Sequence, residues 1–197
     1  FKGYVSKSTI LIFLSSETDE TLVNSISELQ PDDFWVKPLN TGHVIKRLSY
    51  AIAVKRKLFN VFECIDNRDF GKAIYYIERH LLNKDLKKYH MQLMRIKGEC
   101  LLSLMEYNDA EEYFRELLQH GKNSWMYLGF VSALLKQNKI EEIKKLLENL
   151  TTKVETRFAT YDLLAQFYVE NEDFVQAYET IKKAAALAPR NIARNKK

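Results

Sequence analysis

The chain has 197 residues, of which 46% are hydrophobic and 12% aromatic, enough to bury a core in one large or two small domains and too apolar for an unstructured chain. The formal net charge of +4 is accounted for by Arg190, Arg194, Lys196 and Lys197, so the body is neutral and shows no basic stripe of the kind that phosphate-backbone binding needs. The four His and two Cys have no metal-ligand spacing, which argues against a metal site.

Cys64 and Cys100 fall in apolar helical settings far apart in sequence, which reads as two reduced thiols of a cytoplasmic protein instead of a disulfide. Phe1 in place of an initiator Met reads as the start of a fragment. Two of the three prolines, Pro31 and Pro38, lie in the first forty residues, so long helices are expected beyond them.

In chain order, an apolar run (Thr9–Leu14) too short to cross a bilayer is the first predicted strand. A polar turn from Ser15 to Glu20 leads to a helix over about 20–29, capped by Ser16 or Thr18 and ended by Pro31. A short strand, Phe34-Trp-Val36, precedes Lys37-Pro38, and a helix from about Thr41 runs through Val44, Leu48 and Ala51. Nothing between His43 and Asn67 reads as a break, so this helix is expected to continue into the next segment.

This β-α-β-α series resembles the second half of a response-regulator receiver domain, a flavodoxin-like α/β fold. The matching residues are Leu14-Ser15-Ser16-Glu17 at the end of one strand and Phe34-Trp-Val-Lys37-Pro38 at the end of the next. The resemblance implies that the Ser15 hydroxyl and the Lys37 ammonium contact a phosphoryl group. It further implies that Phe34 is the switching aromatic and that the Lys37–Pro38 bond is cis. The family's acidic pair for Mg²⁺ and its phosphoacceptor aspartate would lie upstream of Phe1; Asp32 and Asp33 do not replace them. Mg²⁺ is thus expected only with the missing half, as is a sensor histidine kinase. The resemblance also implies an open edge on the first strand, inviting a homodimer.

From residue 54 onward a register repeats: Phe70-x-x-Ala73, Tyr107-x-x-Ala110, Ile140-x-x-Ile143 and Phe174-x-x-Ala177. The first members are 37, 33 and 34 residues apart. Small residues Gly98, Ala110, Ala165 and Ala177 are expected to let paired helices approach closely, with aromatics filling the core beside them. Three extra residues near Asn83 to Lys88 imply a longer turn. In this phase Val131 takes the small-residue position, and the string Trp125-x-x-Leu128-Gly129 is read as out of register.

An interval near 34 with Tyr161, Leu164-Ala165, Tyr168, Phe174, Ala177, Ala184 and Pro189 resembles the tetratricopeptide (TPR) repeat. The expected fold class is therefore mainly α: a TPR-type α-solenoid of about four helix-turn-helix units (54–90, 91–123, 124–157, 158–191) after a receiver half at 1–53. By that resemblance, the partner-binding groove would be lined by Lys55, Leu58, Phe62, Arg95, Glu99, Leu102, Trp125, Leu128, Ser132, Lys136, Asp162 and Gln166. Trp125 is the leading anchor. Arg95 and Lys136 do not complete a carboxylate clamp for a peptide C-terminus.

No Ser/His/Asp, Cys/His, phosphate-loop or zinc spacing occurs in the repeats, so no enzyme activity is expected. The expectation is a bacterial two-component protein whose TPR domain binds a protein or peptide under receiver control. The alternatives are a constitutive scaffold with a degenerate receiver and, with less support from the charge, a nucleic-acid-binding transcription regulator.

Overall fold

The computed structural model describes residues 6–17, 31–121, 123–139, 146 and 154–187. The expected helix over 20–29, the Ile140-x-x-Ile143 helix and Pro189 lie outside them. The described chain is mainly α-helical, with two short strands, and it forms two compact units.

The first unit runs to Glu106. Strand β1 (Ile12–Ser15) pairs in parallel with β2 (Asp33–Val36), with Ile12 opposite Asp33 and Ser15 opposite Val36. Pairing starts later than the apolar run Thr9–Leu14 suggests. The Thr9 amide closes a turn onto the Ser6 carbonyl (2.9 Å), and the Leu11 amide is taken by the Asp32 carboxylate (2.9 Å).

After a cis Lys37–Pro38 bond, helix α1 (Thr41–Lys57) is capped by Asn40, whose side chain accepts from the His43 amide. Its last turn carries Lys55, Arg56 and Lys57, which suit the negative end of the helix dipole.

The expected unbroken helix does not form. Leu58, at φ −104° and ψ 20°, interrupts it, and a separate helix α2 (Phe59–Asp66) follows. The reason is burial: Leu58 is wholly inside, next to Val61 and Phe62, while Lys57 and Phe59 on either side face outward. Helix α3 (Phe70–Leu82) follows with Asp69 as its cap, accepting from the Lys72 amide at 3.2 Å.

The extra residues form a 3₁₀ turn (Lys84–Tyr89), started by Asn83 accepting from the Asp85 amide and anchored by buried Leu86 and Tyr89. Helix α4 (His90–Ser103) packs back on α3. One core joins Val54, Leu58, Val61, Ile77, Leu93 and Cys100. Both thiols are free and buried, and burial pushes Cys100 up to about 12.

The second unit contains α5 (Tyr107–His120), α6 (Ser124–Lys136), α7 (Val154–Glu170) and α8 (Phe174–Leu187). Helix α5 packs on α6, α7 on α8, and α6 touches α7. Val131, Leu134, Leu135 and Phe167 form a core cluster, so Val131 is internal as its register requires.

Gly129 is internal as well. A Cβ there would lie 2.1 Å from the Phe114 ring, a close approach two residues away from the register position that Val131 holds. Ala110, Ala165 and Ala177 are buried as expected. Phe174, expected among the core aromatics, is instead 66% exposed.

One turn recurs four times. Arg68, Met105, Asn138 and Glu172 have φ of 58°, 63°, 59° and 59°. Each stands two residues before the first member of the sequence register, so the turns keep its 37-, 33- and 34-residue intervals.

Hydrogen bonding repeats with them. The amide of the residue after each reaches back five positions: Asp69 to Cys64, Glu106 to Leu101, Lys139 to Leu134 and Asp173 to Tyr168, at 2.8 to 3.1 Å. Each left-handed residue donates to the carbonyl three before it. That is the Schellman termination of a helix. Its exit residue doubles as a cap of the next helix where it is Asp69 or Asp173.

Candidate functional site

At the end of the parallel pair the backbone sets Ser15 beside Lys37: the Lys37 amide donates to the Ser15 carbonyl at 2.8 Å. Parallel strands present ligand-facing residues at their carboxyl ends, and both residues named by the receiver resemblance stand there. Phe34 pairs with Phe13 one layer back, and Pro38 is exposed beside Lys37.

The neighbouring aspartates serve the scaffold. Asp33 accepts from the Trp35 indole (2.6 Å), the Phe34 amide (2.9 Å) and the Arg47 guanidinium. Burial would push its carboxyl up, but these donors outweigh it and hold the group below its ordinary value. Asp32 binds Lys55 at 2.8 Å.

The groove candidates of the first unit are mostly committed elsewhere. Leu58 and Phe62 are buried in the core, so they build the scaffold and line no open groove. Lys55 bonds Asp32 and the Lys7 carbonyl (2.7 Å), with its ammonium 4.7 Å from the Phe62 ring centre. Arg95 and Glu99 are exposed one turn apart and pair with each other at 2.9 Å; Leu102 is half-buried on the same helix.

In the second unit the candidates come together. Trp125, Leu128, Ser132 and Lys136 are spaced three, four and four residues apart on α6, which places them in one stripe. Trp125 is half-buried, edge-on to Phe114 with ring centres 6.3 Å apart, so it is partly wedged into the core and partly presented. The Ser132 hydroxyl donates to the Leu128 carbonyl at 2.8 Å.

On α7, Asp162 and Gln166 are exposed one turn apart. Gln166 donates to Glu170 (2.8 Å), and Lys136 forms an ion pair with the same carboxylate. Glu170 is held below its ordinary pKa by Lys136 first and Gln166 second. Sequence reading missed Glu170, although its position four residues after Gln166 placed it on the same face. The surface thus has an aromatic end at Trp125 and a polar end at Lys136, Gln166 and Glu170.

Among the described residues, no three His, Cys, Asp or Glu side chains gather to hold a metal ion, and no helix is long and apolar enough to cross a membrane. Comparison with known proteins returned no match: no family model, no curated protein and no solved structure aligns with the chain.

Proposed function

We propose that this is a cytoplasmic two-component signalling protein of bacterial type, in which a receiver-like α/β half controls a TPR-type array that binds a protein or peptide. The placement of Ser15 and Lys37 at the carboxyl end of a parallel strand pair carries the receiver half of the reading. The hydroxyl and the ammonium of two residues whose backbones meet there can both contact phosphoryl oxygens, one as a hydrogen-bond donor and the other as a counter-charge.

The four matching turns support the repeat half, because equal termination geometry at near-equal intervals is what stacked helix pairs require. Function then falls to the faces of α6 and α7, where Trp125 offers an aromatic anchor and Asp162 and Gln166 offer polar contacts. In this reading the chemistry of phosphorylation, with Mg²⁺ and a histidine kinase, belongs to the upstream receiver half. Among the described residues, strand β1 pairs with β2 alone, which suits pairing of two copies along its other edge.

The test uses the full-length protein with its captured partner. Phosphorylation, or the phosphoryl mimic beryllofluoride with Mg²⁺, is expected to change partner affinity. Trp125→Ala is expected to weaken binding about 10-fold or more in either state. Equal affinity with and without the phosphoryl group, or indifference to both Trp125→Ala and Lys37→Ala, would overturn the proposal.

A further inference from the structure

The sequence register keeps intervals of 33 and 34 residues and departs from them once, at 37, where the 3₁₀ turn Lys84–Tyr89 joins α3 to α4. A 3₁₀ helix turns once every three residues, so side chains three apart stack in ridges. Leu86 and Tyr89 make one ridge, and both are buried in the core of the first unit. Their anchoring leaves the other two ridges outside: Lys84 with Lys87, and Asp85 with Lys88, all four exposed.

The last turns of α3 add to this surface. Tyr75, Arg79 and Leu82 are four and three residues apart, which places them on one face of the helix. All three are exposed, Leu82 at 84%. The Arg79 guanidinium donates to the Tyr75 hydroxyl at 2.7 Å and lies 5.6 Å from the centre of that ring, so its fork is held in place. Glu78, the acid next to it, is engaged by Lys97 of α4 at 2.7 Å. Among the described residues, no carboxylate forms an ion pair with Arg79, Lys84, Lys87 or Lys88.

We infer that this joint is a docking surface for an acidic peptide segment, whose carboxylates meet Arg79, Lys84, Lys87 and Lys88 while an apolar side chain rests on Leu82. Unpaired cations around an exposed leucine set the chemistry of the occupant by complementarity. The fixed guanidinium fork matches the two oxygens of a carboxylate. Four cations at one joint are too few for a nucleic-acid track, and a single projecting leucine holds a lipid surface only marginally. The surface shares no residue with the Trp125 stripe, so a peptide bound here leaves that stripe free.

The probe is a fluorescein-labelled oligoglutamate peptide with one central leucine, titrated with the full chain and read by fluorescence anisotropy. Its binding is expected to weaken as salt rises. Reversing the exposed ridge, Lys84→Glu with Lys87→Glu, should cost about 10-fold or more in affinity, whereas Asp85→Asn should tighten binding. Serine in place of the peptide's leucine should cost about 3-fold or more. Circular dichroism should not change, since Leu86 and Tyr89 still anchor the turn. Failure of the peptide to bind overturns the inference. So does binding that is indifferent to both the charge reversal and Asp85→Asn, or that Trp125→Ala abolishes, which assigns the peptide to α6. Tighter lysine-dependent binding of polyuridylate or of phosphatidylserine vesicles also overturns it and gives the surface to nucleic acid or lipid. Because neither phosphorylation nor partner capture is the readout, these outcomes leave the signalling proposal untouched.

Discussion

Glu111 is the side chain on which the polar packing of the second unit converges. It is 7% exposed and accepts from Arg115 on its own helix and from Gln137 (2.9 Å) and Lys139 (2.7 Å) at the end of α6. Burial alone would raise its pKa, but the three donors outweigh burial and lower it. A carboxylate whose folded pKa is depressed contributes stability that is present above its unfolded value, about 4.3. That stability is lost as the pH falls through the folded value. Glu111→Gln is therefore expected to cost about 1–3 kcal/mol in urea unfolding at pH 7. The gap to wild type should narrow as the pH falls below the unfolded value and close once the folded carboxyl, held lower still, is protonated. A gap that persists in acid would show that shape, not charge, holds the turn.

At the scale of elements, the four turns repeat one backbone solution with four different residues. Arg68, Met105 and Glu172 occupy the left-handed region at the steric cost of a Cβ, whereas Asn138 tolerates it better. Met105 is 73% exposed, so replacing it removes little packing. Met105→Gly is expected to raise stability by about 0.5–1 kcal/mol, the relief of strain less glycine's extra chain entropy. Asn138→Gly should gain distinctly less, and thermal melts of the two variants side by side check the order. No glycine marks any of these turns in the sequence. They were legible only indirectly, through the Phe70, Tyr107 and Phe174 register two residues downstream. The strands and the long helices were legible because each carries a local signal: alternation, a capping Asn or Asp, or a proline. The break at Leu58 carries no local signal. It comes from a leucine turned into a core whose other walls, Ile77 and Leu93, lie 19 and 35 residues away.

Across the whole molecule, the site was less legible than the fold for the same reason. Trp125, Ser132 and Lys136 came from the repeat resemblance, and their spacing along one helix puts them in one stripe. Phe62 and Lys55 were misjudged because their surroundings are set by residues distant in sequence. Phe62 is buried in the core of the first unit, and Lys55 meets Asp32 and the Lys7 carbonyl. Those bonds, with Asp66 gripping Ser6 and Lys7, tie the strands to the first helix pair. They explain why the first compact unit runs past the expected boundary at residue 53 to Glu106.

The Lys55 side chain is 12% exposed and Asp32 24%, so the tie is partly desolvated and stronger than a surface pair. Lys55→Met keeps the aliphatic stem over Phe62 and removes the ammonium. Hydrogen exchange should then accelerate about 10-fold or more at the Lys37 amide, which closes the strand pair onto Ser15, corresponding to a local loss of about 1.4 kcal/mol or more. The amides of α3 and α4, held by their own core, should keep their protection. Equal acceleration in strands and helices would mean that the first unit opens as a single body, and that Lys55 holds all of it together instead of one joint.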